Sequence, residues 1–419
     1  MVMKGYPLFD KAISLVYVLM FVGFGCSLSA SVPADSLSRK IESSLTISGY
    51  AKYLQSTLLV GGGFAGVPDA LLDQFLGNSI HDHLIHTRLN AVLRIGSVSM
   101  NWGWRVRTFY GDQPRLYRLI GEDYGREIDR YANDQADMSD LFLNRKGWVI
   151  HAVFDRAFLE WRGKRDEIWF GRQRINWGKA SLWNPNDLFN AYSFIDFDYE
   201  ERPGADALRW THTLGDFSSF EVAVRAVDSL RGSTLAGLYK GYIKGVNYQV
   251  LAAYHQDDLA LGGGWEADLG MWGWKGEGTV FIPLSDGSRG TVASISTDLT
   301  RTWESGLLVG GGYLLNTSAS SQASLFADLN ERVDARNLYP YRHSLFGQIG
   351  YPVTPLFNTH LAVVYSPGEE NTLFISPVLA YSLASNWDLD LTGQIVAQDN
   401  GRSYNSPLQA FFLRLRWSL

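Results

Sequence analysis

The C-terminal segment alternates between apolar and polar residues without interruption. Its apolar positions would share one face of a strand: Phe411, Leu413, Leu415, Trp417 and Leu419. Arg414 and Arg416 would lie on the opposite face, because successive side chains of a strand point to opposite sides. The pattern recurs along the chain, and its polar faces repeatedly carry arginine. It therefore predicts an all-β transmembrane antiparallel barrel rather than a soluble sandwich.

The number and spacing of these segments predict the size of the barrel. We count about 18 alternating segments, an even number within the range of bacterial single-chain barrels. If the glycine-rich hairpin at 270–273 were one continuous strand, the count would fall to about 16, our second choice. The long connections, 60–82, 111–147, 178–205 and 317–343, all follow odd-numbered segments. We therefore expect long extracellular loops, short periplasmic turns and both termini on the short-turn side.

The N-terminus indicates export. Lys4 and Lys11 flank an n-region, an apolar run follows at 12–25, and the small residues after it allow cleavage after Ser29 or Ser31. The run is shorter than the roughly 20 residues that a membrane-spanning helix needs. We predict a signal peptide at 1–29, with 31 as the alternative end, a short periplasmic segment at 30–44, and an outer-membrane barrel at 45–419.

Composition excludes several other classes of protein. Aromatic residues make up 14% of the chain, with 42 glycines and 13 prolines, as is typical of barrels with aromatic girdles and tight turns. No other stretch is long and apolar enough for a membrane helix. The net charge of −6 gives no reason to expect nucleic acid as a partner. We expect the outer membrane of a Gram-negative bacterium as the location.

The charged faces of the strands predict what lines the barrel. An arginine facing lipid at the bilayer midplane costs roughly 2 to 4 kcal/mol, so the arginine faces should point inward. The predicted pore-lining basic residues are Arg88, Arg94, Arg105, Arg107, Arg172, Arg174, Arg414 and Arg416. Trp169, Ile175 and Trp177 would then face outward, with Gln173 as an exception on that face. The arginines could pair with neighbouring carboxylates and only stiffen the wall, or their excess could form an electropositive wall that favours anions.

The connection at 178–205 predicts a constriction. Its aromatic and aliphatic side chains need something to pack against, and folding into the lumen would bury them. That would carry a set of acidic residues toward the arginines: Asp187, Asp196, Asp198, Glu200 and Glu201. Acid on one side of a lumen and base on the other would select solutes by size and charge. An outward-facing rim that packs on neighbouring loops is the alternative.

Short motifs around that loop resemble a known group of proteins. Gly171-Arg172-Gln173 followed by Trp177-Gly178 resembles the strand before a long loop in Gram-negative outer-membrane porins, including relatives of the alginate-export family. The first strand, at 47–53, and the last strand also resemble porin ends. In that class the last residue is normally aromatic and is read by the assembly machinery, whereas this chain ends in Leu419. Of that family's polysaccharide-binding residues, only Arg172 is carried over.

We therefore predict a porin that lets small hydrophilic solutes cross the outer membrane passively, with a preference for anions. The alternatives are a selective channel for saccharides or an anionic polysaccharide, and a structural or occluded barrel. A lipolytic barrel enzyme is disfavoured because no convincing serine–histidine pair is present, and we predict no catalytic residue, cofactor or metal. The expected partners are the bilayer, lipopolysaccharide, the solutes and the assembly machinery. The sequence does not determine the oligomeric state.

Overall fold

The computed structural model describes residues 43–60, 79–119, 121–145, 147–191, 204–285, 289–319, 333–368, 371–399, 401 and 403–419. The predicted signal peptide and almost all of the predicted periplasmic segment lie outside these ranges, as do Asp196, Asp198, Glu200 and Glu201. None of the helices in the described ranges is long and apolar enough to span a membrane.

Strands dominate the described residues. Their bounds are β1 (Ser43–Val60), β2 (Ser79–Ile95), β3 (Val98–Gly111), β4 (Ser139–Arg145), β5 (Trp148–Arg162), β6 (Asp166–Gln173), β7 (Ala205–Gly215), β8 (Ser218–Arg225), β9 (Thr234–Ile243), β10 (Val246–His255), β11 (Asp258–Leu269), β12 (Trp272–Pro283), β13 (Val292–Thr302), β14 (Leu308–Asn316), β15 (His343–Thr354), β16 (Phe357–Ser366), β17 (Thr372–Ala384), β18 (Trp387–Asp399) and β19 (Tyr404–Ser418). Two short helices, α1 (Gln113–Leu119) and α2 (Tyr124–Ala132), lie between β3 and β4.

The sheet closes on itself. Strand β1 pairs antiparallel with β19, from Tyr50 opposite Ser418 to Val60 opposite Leu408. Of the 19 strands in the sheet, β4 pairs only with β5, and β3 pairs directly with β5. The continuous wall therefore has 18 strands, which confirms the predicted all-β barrel. Strands β11 and β12 are paired up to Leu269 opposite Trp272, so the 16-strand alternative is excluded.

The connections alternate in length as predicted. Tight turns join β2 to β3, β5 to β6 and β7 to β8, and the same holds for each later pair on that side of the barrel. The long connections, β1 to β2, β3 to β5, β6 to β7 and β14 to β15, lie at the other end. Both described ends of the chain, Ser43 and Leu419, lie on the short-turn side.

Each strand presents an apolar face outward and a polar or small face inward. In β8, Phe220 and Val224 are exposed on the outside, whereas Glu221 and Ala223 are buried on the inside. The large exposed hydrophobic residues around the wall follow the same alternation, as expected of a surface that contacts lipid.

Strand β6 leaves the wall earlier than the sequence pattern predicts. It ends at Gln173, two residues after Gly171, whose φ of 115° lies outside the conformations that most side chains tolerate. A Cβ on Gly171 would lie 2.4 Å from the carbonyl oxygen of Ala157 on β5, so only glycine fits there. The predicted outward orientation of Trp169, Ile175 and Trp177 is wrong. Ile168 and Phe170 are the exposed residues of β6, whereas the ring of Trp169 lies against the guanidinium of the inward Arg209. Ile175 and Trp177 are buried inside the barrel.

Strand β4 occupies the place in the wall that β6 leaves open. The lower half of β5, from Ala157 to Arg162, pairs with β6. Its upper half, from Trp148 to Val153, pairs with β4. The extracellular connection thus returns into the sheet and extends it above β6.

Candidate functional site

Residues 174–191, which we call the inward segment, fold into the lumen. Trp177 is 1% exposed, and its indole Nε1 donates a hydrogen bond to a carboxylate oxygen of Glu221 on β8 at 2.5 Å. The side-chain amide of Gln249 on β10 donates to the carbonyl oxygen of Trp177 at 2.6 Å. Glu221 and Gln249 lie on the inner faces of their strands, so the segment runs along the inside of the wall.

Two wall carboxylates hold the middle of the inward segment. Glu277 on β12 accepts hydrogen bonds from the backbone N–H of Lys179 at 2.9 Å and from the side-chain amide of Asn184 at 3.0 Å. Asp298 on β13 accepts from the backbone N–H of Ser181 at 3.0 Å and from its hydroxyl at 2.6 Å. Hydrogen bonds to charged groups are worth about 1.5 to 3 kcal/mol each, so these acids are strong anchors.

The far part of the inward segment packs into an apolar cluster. Trp183 is buried among inward-facing side chains of β14, β16, β17 and β18 and of the connection before β15: Leu314, Leu338, Tyr339, Tyr341, Val364, Phe374 and Val396. The segment is therefore fixed to the wall along its length by polar anchors and by buried apolar area.

Asp187 does not face the lumen. It is fully buried within the inward segment, and its backbone N–H donates to the carbonyl oxygen of Asn184 at 3.1 Å. The neighbouring Asn186 donates to the carbonyl oxygen of Gly263 on β11 at 3.0 Å. The other four acidic residues predicted for the constriction lie outside the described residues, so their role stays a prediction.

The predicted arginines on β2 and β3 occupy one side of the lumen. Arg88 is paired with Asp155 at 2.5 Å, and both side chains are buried. Arg105 lies directly opposite Arg88 in the register and has no ion pair with any described residue. A side-chain nitrogen of Arg107 lies 3.5 Å from Nδ1 of His151, and its guanidinium stacks over the ring of Phe109. Arg88 and Arg105 thus place two positive charges side by side, and Asp155 neutralises that of Arg88. This side of the lumen therefore has an excess of positive charge.

The basic side continues onto β19 and β1. Arg414 is paired with Asp390 at 2.8 Å, and the guanidinium of Arg416 lies 4.9 Å from the ring centre of Tyr50. Lys52 on β1 is an additional inward basic residue that the sequence analysis missed, and it is only 2% exposed. The sequence contains the information needed to predict this, because Lys52 lies on the same face as Tyr50 in an alternating strand.

Two further arginines from the sequence prediction are exposed. Arg94 lies at the short-turn end of β2, and Arg174 lies at the start of the inward segment, directly after β6. Neither makes an ion pair with a described residue. Arg174 is therefore a second uncompensated positive charge where the chain enters the lumen.

Arg172 lies in the wall and not at the lumen surface. It is 1% exposed, and two of its guanidinium nitrogens donate to both carboxylate oxygens of Asp206 on β7 at 2.8 and 2.9 Å. It also donates to the carbonyl oxygens of Phe154 at 3.2 Å and Ala136 at 2.5 Å. Arg172 thus joins β5, β6, β7 and the chain that precedes β4, and no solute can reach it.

Acidic side chains on the opposite side of the lumen are already engaged. Glu221 bonds Trp177 and also pairs with Arg209 at 2.7 Å, while Glu277 and Asp298 hold the inward segment. These acids therefore anchor protein groups and offer little charge to a passing solute. The arginine side, by comparison, keeps cations without carboxylate partners among the described residues, such as Arg105.

Two recesses open along the described lumen wall. One, of about 270 Å³, is lined by charged residues of the last strands, including Asp388, Asp390, Arg414 and Arg416. The other, of about 210 Å³, lies against Leu182 of the inward segment and is lined mainly by Phe346, Val364 and Phe374, with Gln348 and His360 as polar groups. The lumen thus presents a charged surface and, beside the segment, a partly apolar one.

Comparisons with known proteins extend this description. No protein-family model matches the chain, and no curated protein matches it in sequence. Solved structures do match. A BenF-like porin from Pseudomonas fluorescens Pf-5 is 9% identical, with a TM-score of 0.57 over 90% of this chain and 98% of that chain. Pseudomonas aeruginosa OccK9 (OpdG) is 11% identical, with a TM-score of 0.56 over 90% and 98%.

A third structure, Pseudomonas aeruginosa OccK2 (OpdF) in complex with glucuronate, is 10% identical, with a TM-score of 0.50 over 89% of this chain and 98% of that chain. At such identities the likeness establishes the fold alone. The chain therefore shares the 18-strand barrel fold of these outer-membrane porins.

Proposed function

We propose that this protein is an outer-membrane porin through which small hydrophilic solutes diffuse passively, with a preference for anions. One observation carries the proposal above all others. The inward segment is docked on one side of the lumen by Glu221, Glu277 and Asp298, and the side formed by β2, β3 and β19 carries arginines. The porin fold of the matching structures supports the same function.

The preference for anions follows from the charge balance along the lumen. Rings or walls of arginine favour anions in a pore, and their field is stronger where the lumen is narrowed and water is confined. Arg105 and Arg174 are the cations that carry this argument, because no carboxylate among the described residues compensates them. Arg88 and Arg414 contribute less, because Asp155 and Asp390 are within hydrogen-bond distance of them.

A preference for sugar acids is the second candidate. OccK2 (OpdF), which has this fold, is known in complex with glucuronate, a sugar that carries a carboxylate. In this chain the partly apolar recess beside the inward segment could contact a sugar ring, while arginines attract its carboxylate. The wider proposal of an anionic polysaccharide has no such support, since Arg172, the one residue carried over for it, is buried in the wall.

The remaining partners belong to the same proposal. The outward apolar faces would contact the bilayer, and the alternating last strand would be recognised by the assembly machinery. The signal peptide at 1–29 and the periplasmic segment at 30–44 remain predictions from the sequence.

Reversal potentials test the proposed selectivity. We expect the mature protein in planar bilayers under a potassium chloride gradient to give discrete steps with a chloride-preferring reversal potential. In Arg105→Ala combined with Arg174→Ala, the reversal potential should move toward zero or toward potassium, because the two uncompensated positive charges are gone.

The matched control is Arg165→Ala combined with Arg231→Ala, which also removes two arginines, but from exposed positions outside the lumen. It should keep the wild-type reversal potential. A correctly folded barrel that conducts no current would contradict the channel, and an unchanged preference in the lumen variant would contradict the role of these arginines.

A further inference from the structure

A stack of rings lies on the outer face of the barrel near its extracellular end. It consists of Tyr53, His83, Tyr110 and Trp148, and we call it the rim stack. The ring centres are 5.9 Å apart for Tyr53 and His83, 6.0 Å for His83 and Tyr110, and 4.4 Å for Tyr110 and Trp148. Tyr110 shares its strand face with Trp102, which is exposed, so the rim stack faces lipid.

This position matches the membrane interface. Tyrosine and tryptophan concentrate at the level of the lipid headgroups, because their rings prefer the apolar side and their polar atoms prefer water. Trp148 lies at the extracellular end of β5, and Trp161 lies exposed at the short-turn end of the same strand. The rim stack therefore marks the outer interface, and the apolar belt lies below it.

Two arginines, which we call the rim arginines, lie on the extracellular side of this stack: Arg115 and Arg145. The guanidinium of Arg115 lies 5.7 Å from the ring centre of Tyr110. Arg145 lies directly opposite Trp148 in the β4–β5 register, so the two side chains share the outer face. Both thus lie around the β4–β5 turn, next to the exposed ring of Trp148.

The rim arginines carry excess positive charge. The side chain of Arg115 is 52% exposed, and its one ion pair among the described residues is with Asp112 at 3.4 Å. The carboxylate of Asp112 is shared between Arg115 and His81, because its other oxygen accepts a hydrogen bond from the backbone N–H of His81 at 3.0 Å. Arg145 has no ion pair with a described residue. Such a cluster is suited to an anion that approaches from the membrane surface.

We propose that the rim arginines bind the phosphate groups of a phosphorylated glycolipid of the outer leaflet, with its acyl chains lying along the apolar wall below the rim stack. Guanidinium groups bind phosphate through two parallel hydrogen bonds, and this geometry makes arginine the preferred residue for phosphate recognition. The guanidinium of Arg115 lies over Tyr110, and apolar surface lies beneath it. This arrangement is complementary to a lipid with an anionic headgroup. The inference rests on the outer-membrane location, but not on conduction through the lumen.

Binding of lipid A to the full-length mature barrel in detergent tests this site. The probes are lipid A with two phosphates, the same lipid with both phosphates removed, and inorganic pyrophosphate as a competitor. In Arg115→Gln combined with Arg145→Gln, we expect the affinity for bisphosphorylated lipid A to fall about tenfold or more, because two charge-assisted contacts are lost. The dephosphorylated lipid should bind the wild-type protein as weakly as it binds the variant.

A matched control removes two other exposed arginines of the same extracellular connection. Arg126→Gln combined with Arg130→Gln changes the net charge equally, but these residues pair with Asp123 and Glu127 on their own helix and lie outside the rim cluster. The control should keep wild-type affinity. The proposal is overturned if the rim variant binds as tightly as the control, if phosphate removal has no effect, or if pyrophosphate competes as well as lipid A, which would indicate a free-phosphate site.

Channel recordings on the same variants separate this inference from the proposed function. The rim variant should retain wild-type conductance, because its substitutions lie on the outer rim. Loss of lipid binding with normal conductance would support the lipid site independently. Absence of conductance in the wild-type protein would contradict the channel and leave the lipid measurement interpretable.

Discussion

Arg172→Ala is expected to lower the free energy of unfolding by about 3 to 5 kcal/mol, the cost of breaking a buried ion pair and leaving one charge unpaired. Arg172 is 1% exposed, and its guanidinium bonds both carboxylate oxygens of Asp206 as well as two backbone carbonyls. Its removal leaves the Asp206 carboxylate and those carbonyls without their partner. Urea unfolding of the barrel in lipid vesicles, followed by tryptophan fluorescence, measures the change.

Arg174→Ala is the matched control, because the same residue type is removed two positions further along the chain. Arg174 is exposed and has no ion pair with a described residue, so its loss should change the free energy of unfolding by no more than about 0.5 kcal/mol.

In bilayer recordings, the effects of the two variants should be reversed: the variant that keeps its stability should lose anion preference. Arg174→Ala should reduce the anion preference, whereas Arg172→Ala, once folded, should not. Equal stability of the two variants, or a shift of selectivity in Arg172→Ala alone, would contradict the placement of Arg172 in the wall.

Glu277→Ala combined with Asp298→Ala is expected to raise the single-channel conductance several-fold. These carboxylates accept four hydrogen bonds from the inward segment, and charge-assisted bonds contribute about 1.5 to 3 kcal/mol each. Without them the middle of the segment loses its attachment to β13, and on β12 it keeps the bonds of the Thr279 hydroxyl to Pro185 and Asn186. The lumen should then widen, and larger solutes should enter faster in liposome-swelling assays.

The control is Glu160→Ala combined with Asp388→Ala, which also removes two inward-facing carboxylates. Glu160 bonds Ser99 and Arg162, and Asp388 bonds Ser382, so neither holds the inward segment. This control should keep the wild-type conductance to within a small change. If both double variants conduct alike, the inward segment does not set the width of the lumen.

The fold class was predictable from sequence because a membrane barrel imposes one simple rule on every strand. Lipid contacts one face and the lumen the other, so apolar and polar residues alternate with a period of two. The strict pattern in β19 and the arginine faces of β2 and β3 express that rule directly. The long connections after odd strands also indicated the orientation. The hairpin at 270–273 left 16 strands as an alternative, and only the pairing of β11 with β12 decided for 18.

Part of the candidate site was predictable for the same reason. Arg88, Arg105 and Arg107 lie on inner faces because the alternation in their strands is unbroken. Whether each charge is compensated was not predictable, because the partner comes from another strand. Asp155, for example, neutralises Arg88 from β5, which is not adjacent to β2 in the wall.

Only the tertiary structure decided what happens after Gly171. The alternation continues past it to Trp177, so the local pattern still indicates a strand with Arg172 inside and Trp177 outside. Strand β6 instead ends at Gln173, Arg172 is buried against Asp206, and Trp177 lies in the lumen, where Glu221 accepts its indole N–H. An alternating pattern predicts that two faces differ, but a strand stays in a sheet only while neighbours pair with it. Here β4 takes that place beside β5, and β4 comes from a distant part of the sequence.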